Sequence, residues 1–148
     1  MAHAFRAGAL ATATDKAFEP ELIKSVEAAE ALAPQANDRE RTHVAAVRAW
    51  LDGDWERATE LWGRASISYP RDLLALQYAH VGDFFLGYSH MLRDRVARVL
   101  PHWNRNVPGY GFIEGMFAFG LEEAGDYEQA ETRGRDAVAL NEQDGWAV

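Results

Sequence analysis

The sequence predicts an all-α fold, an α-α superhelix of antiparallel helix hairpins stacked in series. Two observations carry this. The run Gly53-Asp54-Trp55-Glu56-Arg57-Ala58 returns as Gly125-Asp126-Tyr127-Glu128-Gln129-Ala130, and a degraded copy, Gly87-Tyr88-Ser89, lies between them, so the turn glycines are 34 and 38 residues apart. Each of the two full copies follows one amphipathic helical segment and opens another, as in a helix-turn-helix array with one hairpin per period. The 148 residues form one domain on this reading, with hairpins at about 3–34, 38–70, 72–104 and 110–142.

The first hairpin is the least regular. Residues 3–14 are rich in alanine and read as a helix with Phe5, Ala9 and Thr12 on one side. Asp15 to Glu19 reads as a turn. Pro20 suits the first turn of the next helix, where its missing N–H is not needed. Leu22, Val26, Ala29 and Leu32 follow at helical spacing until Pro34 and Asn37 close the segment.

In the second hairpin Asp38 can cap a helix that carries Val44, Val47 and Leu51 on one face. Glycine at 53 accepts the left-handed conformation that stops a helix. The return helix runs from Trp55 to Tyr69, and Pro70 ends it. Counting from Arg39, the small residues Ala46, Ala58 and Ala65 fall at repeat positions eight, twenty and twenty-seven, with Trp62 at the bulky position twenty-four and Pro70 at thirty-two. Those offsets and the 34-residue period are the pattern of a tetratricopeptide (TPR) repeat, in which paired helices approach closely at the small positions.

The third hairpin starts at Leu73, and its return helix covers about Ser89 to Leu100, with Leu92, Val96 and Val99 apolar. It departs from the small-residue rule at His80 and Leu92, and the insert around Trp103–Gly109 stretches its period. In the fourth, starting at Gly111, Phe117, Ala118 and Leu121 face inward, Ala130 and Ala137 hold the small positions, and Gly134 replaces a bulky residue. Trp146-Ala147-Val148 reads as the start of one more helix. A stacked array needs a polar cap on its last repeat, so the expectation is a fragment of a longer protein, or an end covered by a partner.

Four stretches resemble the tetratricopeptide repeat protein 38 family. They are Arg39-Glu-Arg-Thr-His-Val-Ala-Ala-Val-Arg-Ala-Trp-Leu-Asp-Gly-Asp, Pro70-Arg-Asp-Leu-Leu-Ala-Leu-Gln-Tyr-Ala-His, Met116-Phe-Ala-Phe-Gly-Leu-Glu-Glu-Ala-Gly-Asp-Tyr and Asp144-Gly-Trp-Ala-Val. The resemblance spans roughly residues 38–148. It implies a TPR-like helical-repeat fold and a chain that continues past the Trp-Ala-Val. It brings no catalytic residues with it.

Composition narrows the function classes. With 23 acidic against 15 basic residues the formal charge is −8, a surface that repels nucleic acid and anionic membrane. Arg93, Arg95 and Arg98, interrupted by Asp94, read as a solvated helix face. The absence of cysteine excludes disulfides, Cys-ligated zinc and thiol catalysis, and suits a reducing compartment. No apolar run approaches the ~20 residues of a membrane span, and the N-terminus lacks a secretory pattern, so the expected location is cytoplasmic.

Repeat arrays of this kind bind on the concave surface lined by the first helix of each pair. Counting from the repeat starts places His43, Val47, Trp50, Gln77, Tyr78, Val81, Phe84, Phe112, Met116 and Phe119 there. Without Lys, Arg or Asn among them a carboxylate clamp is disfavoured, and an apolar, aromatic groove suits a hydrophobic helix or extended peptide. The competing reading is that neighbouring repeats bury these side chains.

Other chemistry finds weaker support. Glu40-x-x-His43 has ligand spacing on one helical face, but a di-metal site needs a second copy and further carboxylates that the sequence lacks, so no metal is expected. His80 with Asp83 is read the same way. His43 or His80 with Glu114, Glu122 or Glu123 could do acid–base work, yet Glu122 and Glu123 are adjacent and face apart on a helix, so they read as solvated acids at a helix end. Ser25, Ser66, Ser68 and Ser89 have no evident base. Gly109-Tyr-Gly-Phe-Ile-Glu-Gly115 mimics a phosphate loop without the preceding strand or following Lys. The expectation is therefore a non-catalytic module, without cofactor, that binds a protein or peptide, including a second copy of itself. The alternative is a domain of an enzyme with its site around His43 and His80.

Overall fold

A computed structural model describes residues 1–142; the expected helix start at Trp146 and the Asp144–Val148 stretch lie outside the described residues. The fold is all-α. Eight α-helices account for the described chain: α1 Ala2–Thr12, α2 Glu19–Leu32, α3 Asp38–Leu51, α4 Trp55–Ser68, α5 Leu73–Leu86, α6 Ser89–Val99, α7 Tyr110–Glu123 and α8 Tyr127–Leu140. Single 3-10 turns occupy Lys16–Phe18, Ala33–Gln35 and Leu100–His102. The chain divides into two compact units, one running from Met1 to Gly82 and the other beginning at Asp83.

The turn glycines adopt one local geometry three times. Gly53, Gly87 and Gly125 have φ of 84°, 73° and 84°. Each donates its N–H to the carbonyl three residues back, Gly53 to Trp50, Gly87 to Phe84 and Gly125 to Glu122, at 3.0, 3.1 and 2.9 Å. The next residue reaches five back, Asp54 to Ala49, Tyr88 to Asp83 and Asp126 to Leu121, at 2.9, 2.8 and 2.9 Å. This pair of bonds is a Schellman stop, and its left-handed position favours glycine. What separates the copies is the following cap. Asp54 and Asp126 accept from the N–H of Arg57 and Gln129, whereas Tyr88 makes no side-chain cap.

At the start of α3 the cap is Asn37 rather than Asp38: the Asn37 side chain accepts from Glu40 N, and the Glu40 carboxylate accepts from Asn37 N. This reciprocal box satisfies two donors at once, which Asp38 one residue later cannot do. In α1 the side marked by Phe5 and Ala9 faces out, and Ala4, Ala7, Gly8 and Ala11 face in. Tyr78 explains the choice. Its ring would lie 2.2 Å from a β-carbon at Gly8, and its hydroxyl donates to Phe5 O at 2.9 Å, so only small residues let α1 settle there.

In the first unit α1 packs on α2 and α3, α2 on α3, and α3 on α4. Its core joins Leu22 and Val26 to Ala46, Val47, Trp50, Ala58, Trp62, Ala65, Ala75, Tyr78 and Ala79. Trp50 stacks on Trp55 at 4.9 Å, and Trp62 leans on Tyr78 at 5.1 Å. The alanines at positions eight, twenty and twenty-seven are all buried, which lets these indoles fill the space between close helices.

In the second unit α6 packs on α7 and α7 on α8. Gly120 is the closest point: a β-carbon there would stand 2.5 Å from the Leu92 carbonyl carbon. The longer third period is taken up after α6, where Trp103 is buried and Asn104 closes a turn by accepting from Asn106 N at 3.0 Å. Gly109, at φ 92°, turns the chain into α7. No helix among the described residues is long and apolar enough to cross a membrane.

Candidate functional site

Two kinds of grouping are candidates: ionic clusters inside the units and aromatic side chains at the surface. The first unit holds a buried cluster built on Asp72. Its carboxylate accepts from Arg39 Nε at 2.6 Å and from Ala75 N, in the first turn of α5, at 3.2 Å; His43 Nε2 lies 2.9 Å from the same Oδ2 that Arg39 reaches. Burial pushes the Asp72 carboxyl up, but the bonds from His43 and Arg39 outweigh it and hold the group well below the ordinary carboxylate range. An ionised carboxylate only accepts, so His43 carries its proton on Nε2. His43 is fully buried and its Nδ1 makes no hydrogen bond. This arrangement clasps α3 to the start of α5.

The second unit has two such clusters, and both use an Arg at the twenty-third position of its repeat. Arg95 donates through Nε and Nη2 to buried Asp83, the second bond at 3.2 Å. Burial pushes the Asp83 carboxyl up, against the lowering effect of Arg95. Arg133 donates through Nη1 to both oxygens of buried Glu114, at 3.2 and 3.1 Å, and its guanidinium sits 5.4 Å from the Phe117 ring centre. The Tyr110 hydroxyl donates to the same carboxylate, and that bond, with burial behind it, pushes the phenol up. These pairs tie Asp83 on α5 to Arg95 on α6 and Glu114 on α7 to Arg133 on α8.

The residues expected on the concave face separate into two groups. His43, Val47, Trp50, Tyr78, Val81 and Met116 are buried, and Gln77 and Phe119 are half-buried. Phe84 and Phe112 are open, at 45% and 46% exposure. In the second unit Phe84 touches Phe119, ring centres 5.8 Å apart, and also the exposed Phe85 at 5.7 Å. Phe112 and Phe119 are seven residues apart on α7 and so share one stripe of that helix. The structure thus brings Phe84, Phe85 and Phe119 into contact, and places Phe112 on the stripe of Phe119.

Of the acid–base and metal candidates, His80 is fully buried on α5. Glu40 is committed to the α3 cap, His43 to Asp72 and Glu114 to Arg133. Glu122 and Glu123 are exposed. Among the described residues no group of three or more His, Asp or Glu could hold a metal ion. Sequence reasoning missed Asp72, whose signal was a helix-capping Asp directly before the apolar run at Leu73. It also missed the pairing of Arg95 and Arg133, whose signal was their shared repeat position. No family model matches the chain, and no solved structure matches it.

Proposed function

We propose that the chain is a non-catalytic helical-repeat module, TPR-like as its resemblance to the tetratricopeptide repeat protein 38 family implies, and that it binds a protein or peptide in the cytoplasm. The observation that carries this reading is the aromatic set of the second unit. Three phenylalanines, Phe84, Phe85 and Phe112, stand 39–46% exposed, Phe84 in contact with Phe85 and half-buried Phe119, and Phe112 seven residues from Phe119 on the same helix stripe. Scattered single apolar residues are ordinary on a surface, but phenylalanines grouped on adjoining helix stripes suit an apolar helix or an extended segment of a partner. The three equivalent glycine stops support the repeat part of the reading.

The test compares immobilised wild-type protein with a Phe84→Ser, Phe112→Ser bait of unchanged helicity by circular dichroism. A protein retained by the first and lost from the second is the expected result. Equal retention by both baits, or none by either, would refute the reading.

A further inference from the structure

The aromatic set marks where a partner sits, and the end of α7 indicates its charge. Phe112, Phe119 and Glu123 are spaced at i, i+7 and i+11, which puts them on one stripe of α7, and Glu122 follows Phe119 by three. Both glutamates are exposed, and neither belongs to an ion pair among the described residues. The last turn of α7 has no basic residue. Two carboxylates therefore crowd a helix end that is already negative from its unpaired carbonyls.

Five of the other seven described α-helices also lack a basic residue in the last turn, but where an acid stands there, Glu30 in α2 and Asp83 in α5, an arginine pairs with it. Arg48 and Arg98 occupy the last turns of α3 and α6, and Glu30, near the end of α2, is bonded twice by Arg48 at 2.8 and 2.6 Å. Two unpaired acids in a last turn, beside an exposed aromatic stripe, point to a surface kept for a partner. The formal charge of −8 adds long-range attraction of the same sign.

We propose that the occupant is a basic amphipathic helix of another protein. Its apolar stripe packs on Phe84, Phe112 and Phe119, and its Lys or Arg side chains meet Glu122, Glu123 and the carbonyl end of α7. This inference rests on the binding reading above and adds the chemistry of the partner.

The experiment is a selection from a displayed library of helical peptides, about 18 residues long to give five turns. Their apolar stripe is fixed, and the flanking positions are varied among Lys, Glu, Ala and Ser. Three proteins are compared: wild type, Phe112→Ser and the double variant Glu122→Gln, Glu123→Gln. Wild type should enrich Lys at the flanks. A synthetic copy of an enriched peptide should bind the double variant roughly three- to tenfold more weakly at low salt. The double variant alone should melt at a higher temperature than wild type, because it loses carboxylates from a negative helix end. A lowered melting temperature would mean that these acids are structural and would overturn the inference. Enrichment of neutral or acidic peptides that still need Phe112 would overturn the charge assignment and leave the binding reading standing. No enrichment above Phe112→Ser would overturn both. A dimer seen by light scattering that Phe112→Ser dissociates would make a second copy the occupant, and would also overturn it.

Discussion

Replacing Asp72 by alanine tests whether the buried cluster of the first unit is a clasp. The wild-type carboxylate is fully buried and serves Arg39, His43 and the N–H of Ala75. Arg39 is 40% exposed and can turn to water. His43 cannot: its Nδ1 is already unbonded, so losing Asp72 leaves the whole buried imidazole without a partner, at a cost of about 1–3 kcal/mol. The lost cap on α5 costs about 1 kcal/mol more. The expected total is about 2–4 kcal/mol, or roughly 6–12 °C in melting temperature at ~3 °C per kcal/mol. Urea unfolding followed by tryptophan fluorescence reports mainly on this unit, since three of the five tryptophans, Trp50, Trp55 and Trp62, lie in α3 and α4. On a His43→Leu background the same substitution should cost about 1–2 kcal/mol less, because no imidazole remains to be orphaned. A loss below about 0.5 kcal/mol, or strict additivity of the two changes, would refute the clasp.

Three further outcomes follow from the geometry. Gly125→Ala meets no atom within 4 Å but keeps φ at 84°, so it should cost about 1 kcal/mol of backbone strain in a chemical melt. Gly120→Ala gains helix propensity yet drives a methyl to 2.5 Å from the backbone of Leu92, which cannot yield as a side chain would; a net loss of about 1–3 kcal/mol is expected from the same melt. Acid titration should act with opposite signs on two buried aspartates. Asp72, held low in the fold, contributes stability that is present above its unfolded value of about 3.9 and is lost as pH falls through its folded value. Asp83, pushed up, loses stability as pH rises from that unfolded value through its folded one. Asp72→Asn should therefore flatten the acid loss of stability in pH-dependent urea melts, and Asp83→Asn should relieve the penalty that grows as pH rises above the unfolded value.

What was legible in the sequence is what local chemistry decides. A glycine stop followed by an aspartate cap uses only bonds within six residues, so Gly53-Asp54 and Gly125-Asp126 announce their turns, and the capless Gly87-Tyr88 still stops its helix because the stop belongs to the glycine. The helix register likewise follows from periodic alanines that take contact positions. The rest depends on partners distant in the chain. His43 reads as a groove residue until Asp72, 29 residues away, turns it inward. Glu114 is one of several acids open to acid–base work until Arg133, 19 residues on, pairs with it. Phe5 reads as part of a helix stripe until Tyr78 takes the opposite side of α1. A helical stripe defines which side chains share a face but not whether another helix covers it. The expected concave residues therefore divide: six are core, Gln77 and Phe119 are half-buried, and Phe84 and Phe112 stay nearly half exposed. Glu122 and Glu123 are exposed like those two phenylalanines, and the proposed basic helix is what would meet them.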